Sequence, residues 1–156
     1  MKKVLVCILF LLILQCAFPA FAQEKTVYTS STPIGVNGSI LLMDGIGMQM
    51  FVPDSFSSFA LNESEIASGM IAYLMTKDSE RAIMVRQISS VPENLNDERQ
   101  VLINGMEGVL TTDPSTDSVC LYLPSGNTFV QFAFVPASDP NFAEQIEWMI
   151  GSIQKR

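Results

Sequence analysis

The stretch Asn127–Arg156, NTFVQFAFVPASDPNFAEQIEWMIGSIQKR, decides the fold, because it reads as a strand, a proline-marked turn and a closing helix. Along Thr128 to Val135, Val130, Phe132 and Phe134 fall on one side, and Phe129, Gln131, Ala133 and Val135 fall on the other. A strand so apolar on both sides is usually central in its sheet. Asp139-Pro140 then starts a helix. The Asp139 carboxylate can accept from a free first-turn N–H, and Pro140 lacks only an N–H that would be unpaired there. The helix runs to about Ile153. Phe142, Ile146, Met149, Ile150 and Ile153 follow at i, i+4, i+7, i+8 and i+11, a single stripe that needs a surface to cover. Glu144 near the start and Lys155-Arg156 at the end suit the helix dipole, each by about 0.3–1 kcal/mol.

Upstream, Met106 to Thr111 and Ser118 to Leu123 read as strands, set off by the turns Asp113-Pro114-Ser115 and Pro124-Ser125-Gly126-Asn127. Pro92 to Asn104 reads as a helix. Leu95, Arg99, Val101 and Leu102 give it a stripe, Asp97 and Glu98 fall early in it, and Gly105 is its stop. Gly69 to Thr76 and Arg81 to Ser89 form a hairpin across the polar loop Lys77-Asp78-Ser79-Glu80. Ser39 to Met43 and Ile46 to Val52 form another across Asp44-Gly45, a dipeptide suited to a two-residue turn. Asp54 to Glu65 is a long connection, with Phe56, Phe59 and Leu61 placed to pack inward. Residues 23–38 have no sustained period and read as a flexible lead-in to a single domain over 39–156. The order ββ, ββ, α, βββ, α is that of an α+β domain, an antiparallel sheet of about six to seven strands with two helices.

That order resembles the PsbP-like fold family, named for an extrinsic photosystem subunit and including small bacterial exported proteins. The resemblance covers roughly residues 39 to 154. It is carried by the strand end Phe51-Val52-Pro53, by Asn104-Gly105-Met106-Glu107-Gly108, and by the ending Phe142-x-x-x-Ile146-x-x-Met149-Ile150-x-Ser152-Ile153. It implies a sandwich of sheet and helices, and a binding or assembly factor without catalysis. No metal-ligand set of the photosystem protein can be placed on these residues.

Lys2 and Lys3 precede the apolar run Val4 to Leu14, and Ala20-Phe21-Ala22 follows as a small-x-small cleavage site, so residues 1–22 read as a secretory signal peptide. The run is shorter than the roughly 18–20 residues of a membrane span, which argues against an anchor or any stable insertion after cleavage. Leu14-Gln15-Cys16 puts a bulky amide where lipoprotein signals carry a small residue, so cleavage before Gln23 is preferred to lipidation of Cys16. Without Lys2 and Lys3, seven Lys and Arg face sixteen Asp and Glu, a net charge of −9. Such a balance disfavours nucleic acid and anionic membranes as partners. Loss of Cys7 and Cys16 leaves Cys120 alone, so the mature domain has no internal disulfide and relies on its core.

Histidine is absent, which removes the imidazole base, the Ser-His and Cys-His dyads and every His metal ligand. Cys120 alternates with Val119 and Leu121 and has no basic sequence neighbour, so it reads as a buried structural thiol. Ser152-Ile153-Gln154-Lys155 matches a serine-lysine spacing, but at a frayed terminus and without the companion motifs. Glu63 with Glu65, or Asp113 with Asp117, could form an acid/base or calcium pair, although solvated loop charge is the commoner meaning. Met43, Met48 and Met50 could bind Cu(I), but core filling is the commoner use of methionine. Asn37-Gly38-Ser39 and Asn62-Glu63-Ser64 fit the glycosylation triplet. Trp148 falls about 240° from Phe142 around the helix, away from the apolar stripe. It is either covered by the lead-in or an edge loop, or it is an anchor for a partner.

The resulting expectation is an exported, periplasmic or secreted, non-catalytic binding or assembly-accessory protein of the cell envelope. Its partner is a protein or a small ligand, and Trp148 is its partner-binding residue. No catalytic, cofactor-binding or metal-binding residue is assigned, and no cofactor. The alternative is a carboxylate-dependent hydrolase acting on envelope material, and a third reading is a purely structural envelope component.

Overall fold

Alternating apolar residues on successive strands build a large sheet, and the closing helix covers one face of it. The computed structural model describes residues 25–29, 35–93 and 95–156; the predicted signal peptide, its cleavage site and Cys16 lie outside the described residues. The meander at its centre consists of β8 (Met106–Asp113), β9 (Ser118–Ser125) and β10 (Thr128–Val135). As the alternation of Thr128 to Val135 predicts, β10 is internal, antiparallel to β9 on one side and to β6 (Ala82–Ile88) on the other. β5 (Met70–Thr76) pairs with β6, and β4 (Phe56–Ser58) closes that edge. At the other edge β8 pairs with β7 (Asn96–Ile103), and β1 (Thr26–Tyr28) lies parallel to β7. The eight strands run in the order β1-β7-β8-β9-β10-β6-β5-β4.

A second, three-stranded sheet is made by β2 (Gly38–Met43), β3 (Met48–Pro53) and the short β11 (Gln154–Lys155), with β3 in the middle. Alongside β3 lies α2 (Pro140–Ser152), where Phe51 N donates to Ser152 Oγ at 2.9 Å, and its Asp139 cap accepts from Asn141 N at 2.9 Å. The predicted stripe is the buried one: Phe142, Met149, Ile150 and Ile153 are 0% exposed and Ile146 is 3%. These side chains meet Val130, Phe132 and Phe134 of β10 and Met48, Met50 and Val52 of β3 in one core. Full burial of each large side chain contributes about 1.5–3 kcal/mol. Gly108 is needed where the inner rows crowd, because a Cβ there would lie 2.6 Å from Leu123 Cδ2 and 2.8 Å from Tyr122 O.

Several expectations are corrected. The segment read as a helix from Pro92 to Asn104 is mostly strand β7: its buried residues are Val101 and Ile103, two apart, and both edges of the strand are hydrogen-bonded. The charged residues Asp97, Glu98 and Arg99 tolerate either structure, and pairing on both sides wins over their local preference. Gly105 is then no helix stop. It completes a two-residue hairpin turn with Asn104, at φ 83° and 46° respectively. The Asn104 side chain donates to Gly151 O at 2.8 Å and Ile153 O at 2.7 Å, so this turn satisfies carbonyls at the end of α2.

Asp44-Gly45 belongs to a 3-10 turn, Asp44–Ile46, with the left-handed residue at Gly47. Residues 26–28 of the presumed lead-in form β1, fastened by Tyr28 to both β7 and α2, since Tyr28 O accepts from Asn104 N and the phenol donates to Glu147 at 3.4 Å. The Asp54 to Glu65 connection holds β4 and the start of α1 (Glu63–Ala67). Lys155 and Arg156 do not extend α2, which has no basic residue in its last turn and no acidic one in its first. They leave it for β3: Lys155 pairs with Met48, Arg156 N donates to Gly47 O, and the Arg156 guanidinium pairs with Asp44. Among the described residues no helix is long and apolar enough to cross a membrane.

Candidate functional site

The face of the large sheet turned away from α2 carries the polar chemistry. Strand register lays its side chains in cross-strand rows. One row runs Met70, Arg86, Gln131, Tyr122, Val109 across β5, β6, β10, β9 and β8. The next runs Tyr73, Met84, Ala133, Cys120, Thr111, and Ser118 faces Asp113 beyond it. Cys120, Tyr122 and Ala133 form a small second core here, over which the connection from β6 to β7 lays Val91 and Leu95.

Beside that small core lies an open recess of about 250 Å³, lined chiefly by Met70, Met84, Arg86, Ser118, Cys120 and Gln131. Gln131 is 6% exposed and fully engaged. Its Nε2 donates to the Tyr122 hydroxyl at 3.1 Å and to Cys120 Sγ at 3.4 Å, which turns Oε1 to accept from Arg86 Nε at 2.5 Å. Burial pushes the Tyr122 phenol up to about 12, helped by Cys120 and opposed by Arg86, so the phenol stays neutral. Ser118 Oγ shares hydrogen bonds with Thr116 at 2.8 Å and Cys120 at 3.4 Å. At the rim, Asp113 accepts from Ser115 N and Oγ and from Thr116 Oγ1, and these bonds hold its carboxyl below the usual carboxylate range. A second hollow of about 200 Å³, beneath the β6 to β7 connection, shares Asp113 and is bounded by Leu95 and Tyr122.

The residues singled out from sequence are scattered. Trp148 is half-buried on α2, on the opposite side of the sheet from the recess. The segment after β1 covers part of the neighbouring surface, with Thr29 O 3.3 Å from where a Cβ on Gly151 would sit. Met43, Met48 and Met50 are core residues, 3%, 1% and 0% exposed. Asn62 and Glu65 form a reciprocal cap on α1, Glu65 N to Asn62 at 2.9 Å and Asn62 N to Glu65 at 2.7 Å. Asp117 is tied to Ser138 N and Oγ, apart from the bonds of Asp113. Among the described residues no three His, Cys, Asp or Glu side chains converge as metal ligands. Cys120 is 4% exposed, at the floor of the recess.

Sequence reasoning missed Arg86 and Gln131. A signal was present, since Gln131 is a polar residue at the centre of an otherwise apolar central strand, and such a residue needs partners.

No family model matches the chain, and no curated protein matches it. Among solved structures it is similar to the solution structure of cyanobacterial PsbP (CyanoP) from Synechocystis sp. PCC 6803, with a TM-score of 0.57 and 9% identity over 82% of this chain and 98% of that one. It is also similar to a crystal structure from Bacteroides thetaiotaomicron VPI-5482, with a TM-score of 0.50 and 16% identity over 76% of this chain and 48% of that one. Likeness at these identities is one of fold, and function has to be argued from the site. With its α2-covered sheets and central meander, the chain has a PsbP-like α+β fold.

Proposed function

We propose that the chain is an exported, non-catalytic binding or assembly-accessory protein of the cell envelope, periplasmic or secreted. The observation that carries this reading is the recess on the outer sheet face. It is open and amphipathic, and its polar side chains are bonded mainly to one another. A hydrolase of the carboxylate type needs one acid that keeps its proton near neutral pH. The rim carboxylate, Asp113, is shifted in the opposite direction by the bonds from Ser115 and Thr116. Export is supported by the Lys2-Lys3, Val4 to Leu14 and Ala20-Phe21-Ala22 sequence. Trp148, half-buried and beside exposed Glu144 and Glu147, is proposed as the anchor for a protein partner on the other side of the molecule.

The test separates binding from turnover. Mature protein is incubated with a native envelope extract, the bound fraction is recovered by ultrafiltration, and both fractions are analysed by mass spectrometry. Envelope material retained unaltered and in proportion to protein is the expected result. Catalytic conversion of the extract, many products per protein molecule, would establish the hydrolase instead.

A further inference from the structure

We infer that the recess on the outer face of the large sheet binds a small organic monocarboxylate with a short apolar body, its carboxylate seated on Arg86. This deepens the reading of the chain as a binding protein and rests on it.

The anion-binding group is built by strand register. Arg86 on β6 stands directly opposite Gln131 on β10 and Met70 on β5. Gln131 is anchored by Tyr122 and Cys120, and its carbonyl oxygen takes the Arg86 Nε proton. That bond orients the guanidinium plane while using one of its five donors. Among the described residues Arg86, like Lys77, Arg99 and Lys155, forms no ion pair, and it is the only cation that lines the recess. An oriented fork with free donors suits a bidentate carboxylate better than a compact ammonium would.

Size and polarity narrow the ligand further. At about 30 Å³ per water, the recess holds the equivalent of roughly eight waters, which suits a short body and not an extended chain. Met70, Met84 and Ala133 give that body an apolar bed, and the two thioethers can adjust to its shape. The far wall is anionic. Asp113 lies three strands from Arg86 and four residues beyond Val109 of the Arg86 row, about 14 Å across and about 13 Å along the sheet at the usual spacings, and is held in its charged form. A second negative charge on the ligand would point toward that carboxylate and find no cation, since Arg86 is the only one lining the recess, so a dicarboxylate of similar length is disfavoured.

The probes are 4-methylpentanoate, its amide, and glutarate, each titrated into the mature protein and followed by two-dimensional amide and arginine Nε–H NMR. The expected result is saturable shifts for 4-methylpentanoate at millimolar concentration or below, centred on residues 84–86, 118–120 and 131–133. The amide and glutarate should bind at least about tenfold more weakly. Arg86→Gln should weaken the carboxylate about 10- to 100-fold, and Arg86→Lys by less. Equal binding of acid and amide in the unaltered protein, no saturable shift by 4-methylpentanoate, or full affinity in a folded Arg86→Gln protein would each overturn the assignment. The acid/amide comparison needs no variant, so it stands even if Arg86→Gln misfolds. Envelope material retained without carboxylate binding would sink this inference while leaving the broader binding reading intact.

Discussion

Asn104 offers a sharp test of how the domain is held together, because two substitutions there remove different things. Its backbone sits at φ 46°, which costs an ordinary L-residue about 1–2 kcal/mol, and its side chain donates to Gly151 O and Ile153 O. Asn104→Gly keeps the backbone conformation cheap but deletes both side-chain bonds, at about 0.5–1.5 kcal/mol each, or about 1–3 kcal/mol in all. Asn104→Ala deletes the same bonds and adds the backbone strain, for about 2–5 kcal/mol. For a domain of this size each kcal/mol lowers Tm by about 3–5 °C, so Asn104→Ala should melt well below Asn104→Gly, and Asn104→Gly below the unaltered protein. Thermal unfolding followed by far-UV circular dichroism measures all three. If Asn104→Gly is as stable as the unaltered protein, the bridge from the β7–β8 turn to the end of α2 contributes nothing and the reasoning fails.

Ile146→Ala should cost about 2–5 kcal/mol, because Ile146 is 3% exposed within the main core, whereas Trp148→Ala should cost less and should weaken partner association instead; equal losses of Tm would remove Trp148 from the interface. Cys120 should react slowly with a thiol reagent until denaturant is added, and rapid native labelling would contradict its 4% exposure. Asp139 opposes its own desolvation with bonds from Arg81 and from helix N–H groups, and its pKa is lowered overall. Its stabilising contribution is therefore complete above the unfolded value, near 3.8, and is lost as pH falls through the lower folded value. The stability gap between the unaltered protein and Asp139→Asn should be constant above about pH 5 and should close in acid, as read from urea midpoints across pH; a gap that persists unchanged at the acid end would contradict the shift.

What was legible in the sequence was what is local. The α2 stripe, the Asp139 cap and the alternation of β10 each lie within a few consecutive residues, so their periodicity states their burial. The β5–β6 hairpin was legible for the same reason, with four polar residues between two β-rich runs. β7 was misread because Leu95, Arg99 and Leu102 mimic a helical stripe, while the decisive pair Val101 and Ile103 gains its meaning from β8 and β1. β1 was missed because a three-residue strand has no period of its own; its partner residues, from Thr26↔Val101 to Tyr28↔Ile103, are distant in the chain. The recess could not be read at all without register, since Met70, Arg86, Cys120 and Gln131 come from four strands.

The small sheet imposes an order on assembly. Its outer strand β11 pairs Gln154 with Gln49 and Lys155 with Met48, so β3 meets its last partner only after the whole intervening chain is present. The meander β8-β9-β10 and the β5–β6 hairpin join neighbours in sequence and close short loops, whereas β3–β11 and β1–β7 close long ones. High contact order of this kind slows folding, and until α2 and β11 arrive the β2–β3 ribbon has Met48 and Met50 uncovered. During that interval the exposed Ile40 and Leu42 of β2 add to a bare apolar surface, and self-association of the nascent domain competes with its closure.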